Sequence, residues 1–254
     1  MPKISACIIS FNEEKKIEDC LKSLQPVVDE IIVVDSLSTD KTLEIVAKYT
    51  DKIFEQKFLG HVEQKNLAVS KASHDWILSL DCDERLSAQL QDSIKNIKNN
   101  LSLYDAYKMP RKTFYVYRWL NHCWYPDKKV RLFDKNKARW GGTNPHDKVI
   151  VSSDNIQELK GDILHYSFDS VSAHIQTLDK FTEIGAQEII KKGKKVSVWS
   201  PLLHAKWTFV RMYLVRGGFL DGFAGLVASI LSFMHAFVKY SKVLVYQRSK
   251  NAEK

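Results

Sequence analysis

Residues 76–84 read Trp-Ile-Leu-Ser-Leu-Asp-Cys-Asp-Glu, an apolar run that ends abruptly in acidic side chains. Such a run is typical of a buried strand that delivers carboxylates to the edge of a sheet. Because side chains alternate between the faces of a strand, we expect Asp81 and Asp83 on one face and Cys82 on the other. Two convergent carboxylates suit a hard divalent cation, and solvated acids that introduce the next helix would give the same pattern.

The first eighty residues alternate between strand-like and helix-like patterns. Apolar strand patterns lie at residues 4–10, 31–35, 52–55 and 76–81, with helical patterns between them. This alternation predicts βαβ units and a mostly parallel sheet, in which ligands bind beyond the carboxyl ends of the strands. Asn12, Glu13, Asp35 and the pair Asp81 and Asp83 all follow strand ends, so the sequence predicts a binding site at this edge.

Several classes of protein are disfavoured by what the sequence lacks. Neither G-x-G-x-x-G nor G-x-x-x-x-G-K-[ST] occurs at the first strand–helix turn, which argues against a dinucleotide oxidoreductase and a P-loop NTPase. A site with carboxylates and no glycine cradle would bind phosphates through a metal. The four cysteines form no C-x-x-C pair, and Met1 leads directly into a strand. We therefore expect a reduced cytoplasmic protein with no structural zinc and no signal peptide.

Residues 105–150 are irregular and rich in aromatic side chains. They predict a second small sheet packed by aromatic rings, an acceptor cleft in which rings pack against sugars, or both. Arg131 lies on a predicted strand at 130–133 and is a candidate phosphate ligand.

Two further residues are candidates for chemistry. Residues 141–147 read Gly-Gly-Thr-Asn-Pro-His-Asp and predict a flexible loop. Asp147 at its end is a turn residue, or a general base if it faces the first carboxylate cluster. His165 lies near the end of a strand pattern and is either a core residue or a metal or phosphate ligand.

The basic character of the chain belongs to its C-terminal quarter. Residues 191–254 hold twelve Lys or Arg and two acids, whereas the remainder holds 26 basic and 28 acidic residues, for a net charge of +8. Residues 222–238 carry no charge, and seventeen residues are few for a membrane span. This pattern favours an amphipathic hairpin on an anionic membrane surface, with a core helix pair on the catalytic domain or a second subunit as the alternative. We expect a catalytic domain at 1–168 and a helical, membrane-associating region at 169–254.

Five segments resemble a known family. Residues 9–14, 33–40 and 80–84 look like the three N-terminal motifs of family 2 glycosyltransferases with the GT-A fold. Residues 145–147 and 218–222 are similar to the branch that includes bacterial lipopolysaccharide-core β-glucosyltransferases. The resemblance covers most of the chain. It implies an α/β fold with a Rossmann-like, mostly parallel sheet flanked by helices, a small second sheet and a C-terminal helical extension.

The resemblance also implies an activity. It is the inverting transfer of glucose or another hexose from a UDP-sugar to a lipid-linked glycan such as lipopolysaccharide core, at the cytoplasmic face of the inner membrane. By motif position, the nucleotide-sugar would contact Asn12, Glu13, Asp35 and Asp81, Mg²⁺ or Mn²⁺ would contact Asp83 and His165, and Asp147 would be the catalytic base. Two positions depart from the family pattern, since Leu37 replaces a common glycine and Asp147 replaces the more usual glutamate.

Two rival functions make different demands on the sequence. A sugar-phosphate nucleotidyltransferase would carry a glycine-rich N-terminal loop with Arg and Lys, whereas residues 10–13 read Ser-Phe-Asn-Glu. A nucleic-acid-binding module would spread its charge over a polar stripe, whereas here the charge flanks an apolar segment. We therefore expect no nucleic-acid partner, and a homo-oligomer through the C-terminal helices stays open.

Overall fold

The computed structural model describes residues 2–143 and 146–252, so Asn144 and Pro145 of the predicted loop lie outside the described residues. The chain forms two compact units, the first from Met1–Lys112 and Asp127–His165 and the second from Thr113–Pro126 and Tyr166–Lys254. Residues 113–126 thus belong with the C-terminal helices, whereas the sequence assigned them to the catalytic domain. The functional division at residue 168 stays a prediction.

The predicted alternation of strands and helices forms the parallel half of the sheet. Its elements are β1 (Ile4–Ser10), α1 (Ile17–Leu24), β2 (Glu30–Asp35), α2 (Thr42–Val46), β3 (Ile53–Glu55), α3 (His61–Ser70) and β4 (Trp76–Asp81). Strand β1 pairs in parallel with β2 and β4, and β2 pairs in parallel with β3. The order β3-β2-β1-β4 brings the carboxyl ends of β2, β1 and β4 side by side.

The remaining strands extend this sheet and add a small second one. They are β5 (Glu84–Leu86), β6 (Ala106–Tyr115), β7 (Arg118–Trp119), β8 (Asp127–Asp134), β9 (Ala138–Thr143), β10 (His146–Val151), β11 (Ile156–Glu158) and β12 (Ile163–Phe168), with helix α4 (Ala88–Ile97) and a 3-10 segment (Lys98–Leu103) between β5 and β6. Strand β8 pairs antiparallel with β4 and with β6. Strands β9 and β10 form a separate antiparallel pair. The predicted fold class, including the small second sheet, is confirmed.

The aromatic region differs from its prediction in where the sheets lie. Strands β6 and β8 join the main sheet, and only β9 and β10 form the second one. The glycine pair Gly141 and Gly142 lies in β9 and was wrongly predicted as part of a loop, because pairing with Lys148 and Asp147 of β10 holds it in a strand despite its turn-like composition. Gly142 lies opposite Asp147 of β10 in the ladder.

The main sheet is covered on both faces, which explains its continuous apolar strands. Ile4 and Ile8 of β1 pack with Leu21 of α1 in one buried cluster, and Cys7 packs with Ala68 of α3 in another. All four cysteines are buried free thiols.

The second unit contains the predicted C-terminal helical extension. Its elements are α5 (Val171–Lys191), α6 (Ser200–Phe209), a π-helical segment (Val210–Val215), a 3-10 segment (Gly218–Asp221) and α7 (Gly222–Ala252). Helix α7 packs against both α5 and α6. The buried carboxylate of Asp221 accepts the backbone N–H groups of Asn121, His122 and Cys123 at 2.8, 3.0 and 3.0 Å.

Aromatic rings of the second unit pack on one another. Phe168 and His174 stack with ring centroids 4.2 Å apart, and Tyr115 and Trp124 meet edge to face at 5.6 Å. The Tyr115 hydroxyl also lies 3.0 Å from Nδ1 of His174. These rings serve packing, and an acceptor cleft built from aromatic residues stays a prediction.

Candidate active site

Asp35 sits in a cradle of hydroxyl groups at the carboxyl end of β2. It lies opposite Ser10, the last residue of β1. Its Oδ1 accepts hydrogen bonds from the hydroxyls of Ser10 and Ser38, both at 2.7 Å, and its Oδ2 accepts the Ser38 N–H at 2.6 Å. Asp35 is fully buried, and these bonds fix both carboxylate oxygens.

Two loops after β1 and β2 are tied together by Asn12. Its side-chain oxygen accepts the Thr39 N–H at 2.8 Å, and its own N–H donates to the Ser38 hydroxyl at 2.8 Å. Asn12 and Leu37 both have left-handed backbone conformations, with φ of 53° and 66°. Asparagine tolerates this conformation through local hydrogen bonds, whereas leucine is strained by it. Leu37 thus keeps the backbone shape that a glycine would adopt freely.

Glu13 follows in the same loop, where its N–H donates to the Thr42 hydroxyl at 2.8 Å. Thr42 begins helix α2 and is itself buried. The three residues predicted to contact the base and ribose, Asn12, Glu13 and Asp35, are therefore brought to the same edge of the sheet.

Asp81 ends β4 between two buried cations. Its Oδ1 lies 2.8 Å from Nζ of Lys65, and its Oδ2 lies 2.9 Å from Nη2 of Arg131. Burial alone would raise the pKa of Asp81, but the adjacent Lys65 and Arg131 together hold that pKa well below its usual range. The carboxylate is therefore ionised and held in one orientation.

Glu84 supports this arrangement from behind. It is fully buried, and its Oε1 lies 2.8 Å from Nη2 of Arg131 and 3.1 Å from Nη1 of Arg111. Its Oε2 accepts the Asp81 N–H at 3.1 Å. Burial raises the pKa of Glu84, but Arg131 and Arg111, with a smaller contribution from His165, together lower it below its usual value. Arg131, predicted to contact the nucleotide-sugar, is thus engaged by Asp81 and Glu84.

Lys65 also reaches the predicted catalytic base. Its Nζ lies 2.7 Å from Oδ2 of Asp147, which β10 carries, and 4.3 Å from the ring centroid of Trp140. The guanidinium of Arg131 lies 5.1 Å from the same ring. Asp147 therefore faces the carboxylate cluster that contains Asp81, as the general-base hypothesis requires.

Asp83 does not share the environment of Asp81. Strand β4 ends at Asp81, and Cys82 and Asp83 form a turn before β5. The predicted alternation of side chains between the two faces of a strand therefore does not extend to Asp83. The Asp83 Oδ2 lies 3.2 Å from Nε2 of His165, on β12. The two carboxylates thus have separate partners.

The spacing of Asp83 and His165 is compatible with two adjacent ligands of an octahedral ion such as Mg²⁺ or Mn²⁺. Adjacent ligands of an octahedral ion bound at about 2.0–2.1 Å lie about 3 Å apart, close to the 3.2 Å between their donor atoms. Within residues 2–143 and 146–252, no group of three or more His, Cys, Asp or Glu side chains is placed to hold a metal. An octahedral ion held by two protein ligands would take its remaining ligands from outside the protein.

Sequence reasoning missed Lys65, Glu84, Arg111 and the cation contacts of Trp140. Glu84 was visible as the last acid of the opening motif, but nothing local marks Lys65 as buried. Its position follows from the packing of α3 against β9 and β10, far away in the chain.

These features agree with one family. The sequence pattern of Glycosyl transferase family 2 matches residues 5–153, and the chain belongs to this family of glycosyltransferases.

Individual relatives extend over nearly the whole chain. An uncharacterised glycosyltransferase of Rickettsia typhi is 33% identical, and the match covers 96% of this chain and 87% of that protein. The lipopolysaccharide core biosynthesis glycosyltransferase LpsC of Rhizobium meliloti is 26% identical over 98% of this chain and 94% of its own. Among solved structures, S. aureus TarS 1–349 in complex with UDP-GlcNAc matches with a TM-score of 0.50 and 16% identity, covering 99% of this chain and 92% of that one. This last similarity concerns the GT-A fold.

Proposed function

We propose that this glycosyltransferase inverts the anomeric centre of a hexose, such as glucose, as it moves the sugar from UDP to a lipid-linked glycan such as lipopolysaccharide core. The proposal rests on one observation. A single ammonium group, Nζ of Lys65, lies within 2.8 Å of both Asp81 and Asp147. The proposed donor residue and the proposed base are therefore side by side, where a sugar can meet an acceptor hydroxyl.

The donor half of the site would hold the nucleotide. The Asn12–Glu13 loop would contact base and ribose, and the fully buried Asp35 would act on them through Ser38, which it holds against Asn12. Asp81 would contact ribose in the orientation that Arg131 imposes. Arg131 would thus act on the nucleotide-sugar through Asp81. Asp83 and His165 would hold Mg²⁺ or Mn²⁺, which when bound neutralises the diphosphate leaving group.

The acceptor half would supply the base. Asp147 takes the proton of the acceptor hydroxyl as the oxygen of that hydroxyl bonds to the anomeric carbon. At the same time the bond from the anomeric carbon to the diphosphate oxygen breaks, and the diphosphate leaves as part of UDP. A single displacement from the opposite face inverts the centre. No enzyme nucleophile is needed.

The proposed acceptor and location rest on similarity and charge. LpsC is named for lipopolysaccharide core biosynthesis. The excess of basic residues after position 190 suits an anionic lipid surface. We therefore place the protein on the cytoplasmic face of the inner membrane, peripherally bound, and a homo-oligomer through the C-terminal helices remains part of the proposal.

A panel of nucleotide sugars tests the donor, with thermal stabilisation and metal-dependent hydrolysis as readouts. UDP-hexoses should stabilise the protein and be turned over, and GDP-sugars should not. Asp147→Asn should reduce transfer by about 10²- to 10⁴-fold and keep donor binding. Asp147→Glu, which restores the usual family residue, should retain most of the activity. Normal transfer by Asp147→Asn would place the base elsewhere.

A further inference from the structure

Residues 199–223 of the second unit expose an unusual amount of apolar surface. Six large side chains are 57–70% exposed, namely Trp199, Leu203, Trp207, Val215, Leu220 and Phe223. We call these six residues the apolar face. Trp199 caps the start of α6, and positions 199, 203 and 207 are four residues apart and share one side of the helix, whereas Pro201 and Ala205 are buried. Large apolar side chains exposed along one short segment make it a candidate interaction site.

The charges around the apolar face have one sign. Residues 191–216 contain seven Lys or Arg and no acid. Lys194, Lys195, Lys206 and Arg211 are exposed. The next acid, Asp221, is buried with its carboxylate on backbone N–H groups, so it adds no negative charge to the surface. An apolar face accompanied by cations and no exposed acid complements an anionic bilayer, to which nearby Lys and Arg side chains are attracted.

Helix α7 keeps packing and ion-pair contacts with the rest of the second unit. Gly218–Lys250 is long and apolar enough to cross a membrane by length and composition, but 39% of its most apolar window is buried inside the protein. Ala224, Ala228 and Val243 are among its buried residues. Lys242 forms ion pairs with Asp179 and Glu183 of α5 at 3.0 and 3.2 Å. Crossing a membrane would break these contacts, whereas lying on it keeps them.

We propose that the apolar face docks on an anionic phospholipid bilayer, with Trp199 and Trp207 at headgroup level and α7 held against the protein. The interfacial segment is then α6 with the π-helical and 3-10 segments after it and Phe223 at the start of α7, instead of the whole uncharged stretch at 222–238. Amphipathic helices of this composition bind in the plane of the interface. The apolar face would be the place of the membrane contact in the proposed function, and its biological purpose rests on that function. Binding of the face to a bilayer does not itself require sugar transfer.

Flotation of the full chain with phosphatidylcholine vesicles, with and without phosphatidylglycerol, tests this surface. Wild-type protein should bind the anionic vesicles. Trp199→Ser with Leu203→Ser should weaken this binding by at least about tenfold, because two large apolar side chains no longer enter the interface. Lys206→Glu with Arg211→Glu should remove the preference for anionic vesicles.

Leu103→Ser is the matched control, since Leu103 is 66% exposed but lies in the first unit. It should float like wild type. Thermal stabilisation by the UDP-hexose that wild type binds should be unchanged in every variant, which shows that the chain is folded. If neither wild type nor any variant bound a UDP-sugar, the proposed function would be overturned. Vesicle binding could still be measured in that case, so the two proposals fail separately.

Three outcomes overturn the docking proposal. Wild type fails to float with anionic vesicles, or Trp199→Ser with Leu203→Ser floats as well as wild type. In the third, sedimentation shows a wild-type dimer that this double variant converts to a monomer with no change in flotation. A second copy of the chain would then be the occupant of the apolar face.

Discussion

Nζ of Lys65 lies 2.7 Å from Oδ2 of Asp147, although 82 residues separate the two in the chain. The contact joins α3 to β10, and Lys65 simultaneously neutralises Asp81 at the end of β4. An ammonium in this position keeps two carboxylates close together that would otherwise repel each other. Both halves of the proposed site therefore depend on one side chain.

Lys65→Met should lower the rate of transfer by about 10²-fold, because Asp81 and Asp147 lose their shared cation and move apart. Lys65→Arg keeps the charge and should lose less. Steady-state kcat and KM for donor and acceptor provide the measurement. Wild-type kinetics in Lys65→Met would show that the bridge has no part in the reaction.

Asp83→Asn should raise the Mg²⁺ or Mn²⁺ concentration needed for half-maximal donor hydrolysis by at least about tenfold, because it removes one of two protein ligands. His165→Ala should act in the same direction, and chelation should abolish activity in wild type. Asp92→Asn is the control, since that carboxylate is 73% exposed on α4. Full wild-type activity in excess chelator would exclude the metal.

Glu84→Gln should lower the free energy of unfolding by about 3 kcal/mol, because it leaves the buried guanidinium of Arg131 short of one negative charge. Urea denaturation near neutral pH measures the change. Glu158 forms a 2.8 Å ion pair with Lys128, and the Glu158 side chain is 40% exposed. Glu158→Gln should therefore lower the free energy of unfolding by less than about 1 kcal/mol. Equal effects in the two variants would mean that burial does not strengthen the Glu84 network.

Glu30 should make the free energy of unfolding fall as the pH is lowered in the acid range. Burial raises the pKa of Glu30, but hydrogen bonds from Lys52, Ser5 and Ser73 outweigh it and bring the pKa to about 2, from an ordinary value of 4.5. A group with a lowered folded pKa stabilises above its unfolded pKa, and that contribution disappears as pH falls through the folded value.

The comparison of wild type with Glu30→Gln isolates this contribution. The difference in free energy of unfolding should be constant above about pH 4.5 and shrink as the pH approaches 2. Urea denaturation at a series of pH values measures it. A difference that stays the same across this range would contradict the lowered pKa.

Leu37→Gly should be more stable than Leu37→Ala by about 1 kcal/mol, because any residue with a Cβ is strained at the φ of 66° found there. In an ordinary helix or strand the order is the reverse. Thermal or urea denaturation of the two variants decides between them. An alanine variant that matches or exceeds the glycine variant would mean that this loop relaxes to a normal φ.

The parallel half of the sheet was predictable because β1, β2 and β4 are buried on both faces and therefore read as continuous apolar runs. Their order also placed Asn12, Asp35 and Asp81 at one edge. The partners of these residues were not predictable in the same way. Lys65 and Arg131 are cations in otherwise ordinary segments, and their burial results from packing between elements far apart in sequence.

The local alternation rule failed at Asp83 because β4 ends two residues before it, inside the motif. Asp81 is the last residue of β4, and the turn after it sends Asp83 to His165. No pattern within the motif distinguishes these two outcomes. The separate partners of Asp81 and Asp83 could therefore be found only from the fold.

The hydrogen bonds from residues 121–123 to Asp221 have a consequence for how this protein can be divided or fused. A chain cut after residue 168 would remove the acceptor for three backbone N–H groups that lie nearly a hundred positions earlier. Such a fragment would keep the proposed catalytic residues and yet contain a loop without its anchor. Exchanging the C-terminal region between related enzymes should therefore succeed only when residues 113–126 are exchanged with it.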